Sequence, residues 1–146
     1  MKNYFKTCLK QHFIYNTLNC AVSLCRKKPK EASELLIDLS DCLHYTSDNN
    51  SDLVSLKEEI DFVCSYLYVQ SIRFSPRIEL NCDTGNMISC NIARFLIYRY
   101  VDDILENVLK NTNDNITFKI SVNPKEQKAV VEVFLNGKYK YIKEFS

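Results

Sequence analysis

The sequence predicts an α+β fold, an antiparallel helical hairpin followed by a lobe of mixed helices and strands. Two observations carry this. Through the first half of the chain, apolar residues recur at three- and four-residue steps, the period of helices buried on one side. Beyond position 115 the period falls to two, with Ile116, Phe118, Ile120 and Val122 alternating with polar neighbours, as a half-buried strand requires. Helical segments followed by strand segments are the order of α+β chains.

The first helix is predicted from about Lys2 to Arg26. One stripe runs through Leu9, Phe13, Cys20 and Leu24, and another through Tyr15, Leu18, Val22 and Cys25. Two stripes imply two packing neighbours. Arg26-Lys27-Lys28-Pro29-Lys30 reads as a solvated connector with the proline at a helix start. A second helix over Pro29–Thr46 carries Ala32, Leu36, Leu39 and Leu43, suited to an antiparallel hairpin. Two such hairpins would associate as a four-helix bundle. The polar run from Ser47 to Asp52 is the expected boundary between a unit at 1–50 and a second at 51–146.

Ser55 and Glu58 form a capping box for a third helix with the stripe Leu56, Ile60, Val63 and Leu67. Arg77 to Cys82 reads as a short strand ended by Asp83-Thr84-Gly85-Asn86, and a fourth helix is expected from Ile92 to Asn111. After the strand at 116–122, Asn123-Pro124 makes a turn. The valine-rich Lys128–Leu135, Asn136-Gly137 and Lys138–Ile142 then read as strand, two-residue turn and strand, because Asn-Gly readily takes the positive φ angles of a type I′ hairpin.

Nineteen basic and eighteen acidic residues leave a net charge of +1, which gives no field to draw in nucleic acid. The seven cysteines form no Cys-X-X-Cys pair and fall largely at apolar helical positions. They read as free thiols in a reducing compartment, without a zinc or disulfide framework. No run of about eighteen apolar residues is present, so no membrane span is expected within the chain.

The segment that carries chemistry is Gln11-His12-Phe13-Ile14-Tyr15-Asn16-Thr17-Leu18-Asn19. His12 and Asn16 are four residues apart and share a helix face. An imidazole nitrogen is a competent nucleophile for a phosphoryl group near neutral pH, and a neighbouring amide can orient the ring.

This block resembles the phosphoacceptor segment of the LytS-type sensor histidine kinases, Pro-His-Phe-Leu-Phe-Asn-Thr-Leu-Asn, departing clearly at Gln11. The resemblance continues through Ala32–Asp41, Val54–Glu59 and Tyr66-Leu67-Tyr68-Val69-Gln70-Ser71-Ile72-Arg73-Phe74, four blocks in family order. Leu105-Glu106-Asn107-Val108-Leu109-Lys110-Asn111 is similar to the family's asparagine box. The resemblance implies an ATPase-like α/β sandwich lobe, truncated at Ser146, in which Asn107 holds the magnesium of Mg-ATP. Glu106 would lie near the attacking groups and Lys110 near phosphate oxygens. By spacing alone, Glu106 and Lys110 are also an ordinary i, i+4 surface pair.

The family's Asp-Asn-Gly-X-Gly loop corresponds to Leu135-Asn136-Gly137-Lys138-Tyr139. Leucine replaces the adenine-binding aspartate and tyrosine the second glycine, so ATP binding is expected to be impaired. The resemblance implies a homodimer, a phosphorelay kinase activity that uses His12, and a response-regulator receiver domain as partner. It also implies a cytoplasmic domain of a membrane-anchored parent. The alternative is a non-catalytic dimerisation or phosphotransfer module.

Overall fold

The computed structural model describes residues 9–47, 51–83 and 90–146. Over these residues the chain is α+β, with four helices and a mixed sheet. The elements run α1 Gln11–Leu24, α2 Pro29–Ser47, β1 Leu53–Ser55, α3 Leu56–Arg73, β2 Ile78–Asp83, β3 Asn91–Ala93, α4 Leu96–Asn111, β4 Ile116–Asn123, β5 Lys128–Leu135 and β6 Lys138–Phe145. The expected first turns at 2–8, the centre of the 47–52 boundary and the turn after Asp83 lie outside the described residues, and the first helix, expected to include Leu9 and Lys10, starts only at Gln11.

Helix α1 buries Phe13, Thr17 and Ala21 at four-residue steps. Thr17 is tolerated there because its hydroxyl donates to the Phe13 carbonyl at 2.7 Å, which leaves no orphaned donor. The second stripe faces outward, with Tyr15 59% and Val22 71% exposed. Helix α2 starts at Pro29, where the missing N–H costs nothing. Its buried residues are Ala32, Leu35, Leu39, Cys42 and Thr46, so the predicted Ala32-Leu36-Leu39-Leu43 stripe is corrected. The helix packs against both α1 and α3, and the buried member of the adjacent pairs Leu35/Leu36 and Cys42/Leu43 is set by both neighbours together.

Helix α3 is the central element. Ser55 caps it, its hydroxyl accepting from the Glu58 N–H at 3.1 Å, as the capping box predicts. The expected stripe Leu56, Ile60, Val63 and Leu67 is buried, and Glu59, Phe62, Tyr66, Val69 and Gln70 are buried with it. Burial on more than one side follows from neighbours on several sides: α2, α4 and strand β2 all pack on α3.

Strands β2-β4-β5-β6 form one sheet in that order, β2 parallel to β4 and the others antiparallel. Ile116, Phe118 and Ile120 of β4 and Ala129, Val131 and Val133 of β5 point into the same core as Ile97, Val101, Leu105 and Val108 of α4. Asn136 and Gly137 have φ of 51° and 78°, and Leu135 pairs with Lys138 across them, so the predicted two-residue hairpin is present. A Cβ on Gly137 would meet nothing within 4 Å; the backbone angle alone selects glycine.

Two expectations are corrected here. The fourth helix begins at Leu96, not Ile92, because Asn91–Ala93 pairs antiparallel with Leu53–Ser55 and Phe95 takes a left-handed conformation at φ 68°. Strands of three residues are too short to show a period of two. The cysteines are not all free: Cys64 of α3 is joined to Cys82 of β2, with their Cα atoms 6.9 Å apart. Packing of a helix on a strand brings these two together, and nothing in their spacing of 18 residues signals it. Cys20, Cys25, Cys42 and Cys90 remain thiols; burial raises that of Cys42 above the ordinary thiol range. Among the described residues no helix is long and apolar enough to cross a membrane.

No side chain of its own caps the start of α4. Instead the Glu59 carboxylate, wholly buried, accepts the N–H groups of Phe95 and Tyr98, each at 3.0 Å. The Tyr45 hydroxyl donates to the same carboxylate. Glu59→Ala would leave two amides and a hydroxyl without their acceptor, and should cost about 3 kcal/mol or more of stability. Urea unfolding checks this; a loss below about 1 kcal/mol would contradict the role given to this carboxylate.

Candidate functional site

His12 stands in the first turn of α1, exposed, with Asn16 exposed one turn later. Burial of Phe13 and Thr17 fixes which way the helix faces, so the histidine and asparagine are placed on its open side. His12 borders a cleft of about 120 Å³ between α1, α3 and α4. Helix α1 also lends Phe13 to it; α3 contributes Tyr66, Gln70 and Arg73; α4 contributes Tyr98, Asp102 and Glu106. A larger cavity of about 730 Å³ lies between the start of α1 and the end of α2, lined by Leu9, Ile14, Leu43 and His44 among others. It does not include His12, and its other lining residues are Gln11, Ser40, Thr46 and Ser47.

Of the residues singled out from sequence, the structure brings His12 and Glu106 to one cleft. Glu106 forms an ion pair with Lys10, just ahead of α1, and not with Lys110. Asn16, Asn107 and Lys110 are not among the cleft's described lining residues. Asn107 is exposed, and its side-chain oxygen accepts from the Asn111 amide at 2.6 Å. Lys110 is exposed on the same helix. Among the described residues no group of three or more His, Cys, Asp or Glu side chains could hold a metal ion.

The inner wall of the cleft is a chain of hydrogen bonds that the sequence reading did not find. Tyr66 donates its hydroxyl to Asp102, the Gln70 amide donates to the Tyr66 oxygen at 3.0 Å, and Arg73 donates to the Gln70 oxygen at 2.8 Å. The Arg73 guanidinium carbon lies 4.9 Å from the centre of the Phe74 ring and 5.9 Å from that of Phe13. Burial, then the neighbouring Asp102 charge, pushes Tyr66 well above the tyrosine range, so its proton stays in place as a donor. Burial also raises Asp102, while the Tyr66 hydrogen bond and Lys10 oppose the shift. A signal for three of these residues was present: Tyr66, Gln70 and Arg73 are spaced four and three apart on one face of α3. Asp102 gave none.

The turn at Asn136 and Gly137 is closed. The Asn136 N–H donates to the Asn115 carbonyl at 2.8 Å, its side-chain oxygen accepts from the Asn115 N–H at 2.8 Å, and its amide donates to Asp114 at 2.9 Å. The turn is thereby docked on the connector after α4, and the Tyr139 ring meets Phe134 edge to face at 5.4 Å.

Several known proteins are similar to this chain in sequence. The chain is 27% identical over 126 residues to an uncharacterized sensor-like histidine kinase of Staphylococcus epidermidis, an overlap of 86% of this chain and 24% of that protein. It is 28% identical over 112 residues to the sensor protein kinase HptS of Staphylococcus aureus, covering 76% of this chain and 21% of HptS. It thus spans less than a quarter of the length of these relatives. The profile of the histidine kinase family matches residues 3–78, a span that takes in His12 and the Tyr66-Gln70-Arg73 face, and on that match the chain belongs to the histidine kinase family.

Proposed function

We propose that this chain is a phosphoacceptor module of a sensor histidine kinase in a two-component phosphorelay. His12 takes a phosphoryl group and passes it to an aspartate of a response-regulator receiver domain. The observation that carries the reading is the exposed His12 bordering the cleft between α1, α3 and α4, in the block that resembles the family's phosphoacceptor segment. In the first transfer an imidazole nitrogen attacks phosphorus, an N–P bond forms and the P–O bond to the leaving group breaks. In the second, the aspartate oxygen attacks and the imidazole leaves. Both steps depend on positioning and charge neutralisation. Asn16, one turn from His12, is suited to orient the ring.

Magnesium-ATP, which the family implies, does not fit the residues present. Leu135 has no acceptor for the adenine amino group. The Asn107 oxygen is engaged by Asn111. The turn at 136–137 is tied to residues 114–115 where a loop would have to curl around phosphates. In this reading the phosphoryl donor is a complete ATPase lobe, and Lys110 and Glu106 have no catalytic part in the transfer. The same closed hairpin favours a second reading, a non-catalytic module that dimerises or docks.

The outward stripe of α1 supports a homodimer. Tyr15, Leu18 and Val22, with Leu36, Ile37 and Leu43 of α2, are exposed large apolar side chains on two adjacent helices, which a second copy would cover. The domain is expected to work on the cytoplasmic side of a membrane-anchored parent.

Three measurements test this. Thermal unfolding with millimolar Mg-ATP should show no shift, whereas a dissociation constant a hundredfold below the ligand concentration would add about 2.7 kcal/mol; a saturable, magnesium-dependent rise would restore ATP binding to the chain. Incubation with radiolabelled ATP and a complete sensor kinase of the family should give an acid-labile label that chases to a receiver domain. His12→Gln should abolish it, and equal labelling of that variant would remove His12 from the mechanism. Val22→Asp should shift the chain from dimer to monomer in sedimentation; a monomer before mutation would end the dimer reading.

A further inference from the structure

We infer that the cleft between α1, α3 and α4 is a phosphoryl-binding site in which the Arg73 guanidinium takes the oxygens of the phosphoryl group carried on His12. This rests on the reading of His12 as the phosphoacceptor and names the group that receives the charge.

Arg73 is half-buried and has no carboxylate within ion-pair distance among the described residues. Of its five N–H donors, one is used by Gln70 among the described residues. The others donate to no acceptor among the described residues, and a guanidinium binds an oxyanion through paired N–H bonds. Burial pulls its pKa below the ordinary arginine value, as befits a cation short of counter-charge. The head group is also aimed. Gln70, 6% exposed, holds it; Tyr66, 3% exposed, holds Gln70; and Asp102 anchors Tyr66. The Phe13 ring beside the guanidinium belongs to the residue that follows His12, so one packing contact fixes both the cation and the backbone that bears the imidazole.

Lys10 pairs with Glu106 and the Asp102 carboxylate accepts from Tyr66, so among the described residues Arg73 is the cation of the cleft that no carboxylate contacts. The cleft's 120 Å³ equals about four water molecules at ~30 Å³ each. That suits a phosphoryl group, and it is below the ~300 Å³ at which ligand pockets begin.

The test uses the full chain carrying His44→Gln, which leaves His12 as its one histidine, and phosphoramidate as donor. The imidazole nitrogen attacks phosphorus, the N–P bond to the ring forms, the P–N bond to ammonia breaks, and ammonia takes up the proton the ring releases. Phosphorus NMR then follows the shift and decay of phosphohistidine. Arg73→Gln should change the shift and speed decay about tenfold, the worth of one charge-assisted hydrogen bond. Arg73→Lys, which keeps the charge and the aliphatic stem, should fall between, with all three proteins unfolding cooperatively. A labelled His12 with the same shift and decay in all three overturns the role of Arg73 and leaves His12 as phosphoacceptor. An unlabelled His12 in a folded chain overturns the phosphoacceptor reading and this inference together.

Discussion

The buried carboxylate of Glu59 is the constraint on which the rest of the fold depends. Removing a carboxylate from water costs several kcal/mol unless its oxygens are satisfied. Here the Phe95 and Tyr98 amides and the Tyr45 hydroxyl do so. One group thereby joins the end of α2, the first turn of α3 and the start of α4. The two amides belong to a helix N-terminus, where the aligned peptide dipoles favour negative charge. Burial, with Glu59 adding to it, raises Tyr45 far above the tyrosine range, so the hydroxyl remains a donor. Phe62 stacks on Tyr45 at 4.4 Å and Phe95 meets Tyr45 edge to face at 5.6 Å, sealing the carboxylate from solvent.

The far end of α4 is held by the opposite charge. Arg77 donates to the carbonyls of Asp114 and Thr112, each at 2.7 Å, and to that of Val108 at 3.3 Å, tying the last turn of α4 to the connector that follows it. The connector fixed in this way is the one on which Asn136 docks. Helix α4 is thus clamped at both ends by side chains far away in sequence, and this clamp presents Asp102 and Glu106 to the His12 cleft.

Local chemistry in the sequence was enough to place the helix starts at Pro29 and Ser55, the alternation of β4 and the Asn136-Gly137 turn, because each is written in residues next to one another. It was also enough to single out His12 and Asn16, whose shared face follows from helical spacing alone. The polar chain Asp102-Tyr66-Gln70-Arg73 was only partly legible. Its α3 members have helical spacing, but glutamine and arginine at such spacing are ordinary on exposed helices, and nothing local shows that this face is buried.

What the sequence by itself determined is therefore the four helices, the strands from β4 to β6 and the shared face of His12 and Asn16. The tertiary structure alone decided which side of α2 is buried, that Cys64 meets Cys82, that Lys10 and not Lys110 is the partner of Glu106, and that Arg73 lines the cleft with no carboxylate in contact among the described residues. The reason is physical. Periodicity and capping act over three or four residues, whereas each of these pairings joins separate elements, and their geometry exists only after burial of Glu59 and the common core has fixed those elements against one another.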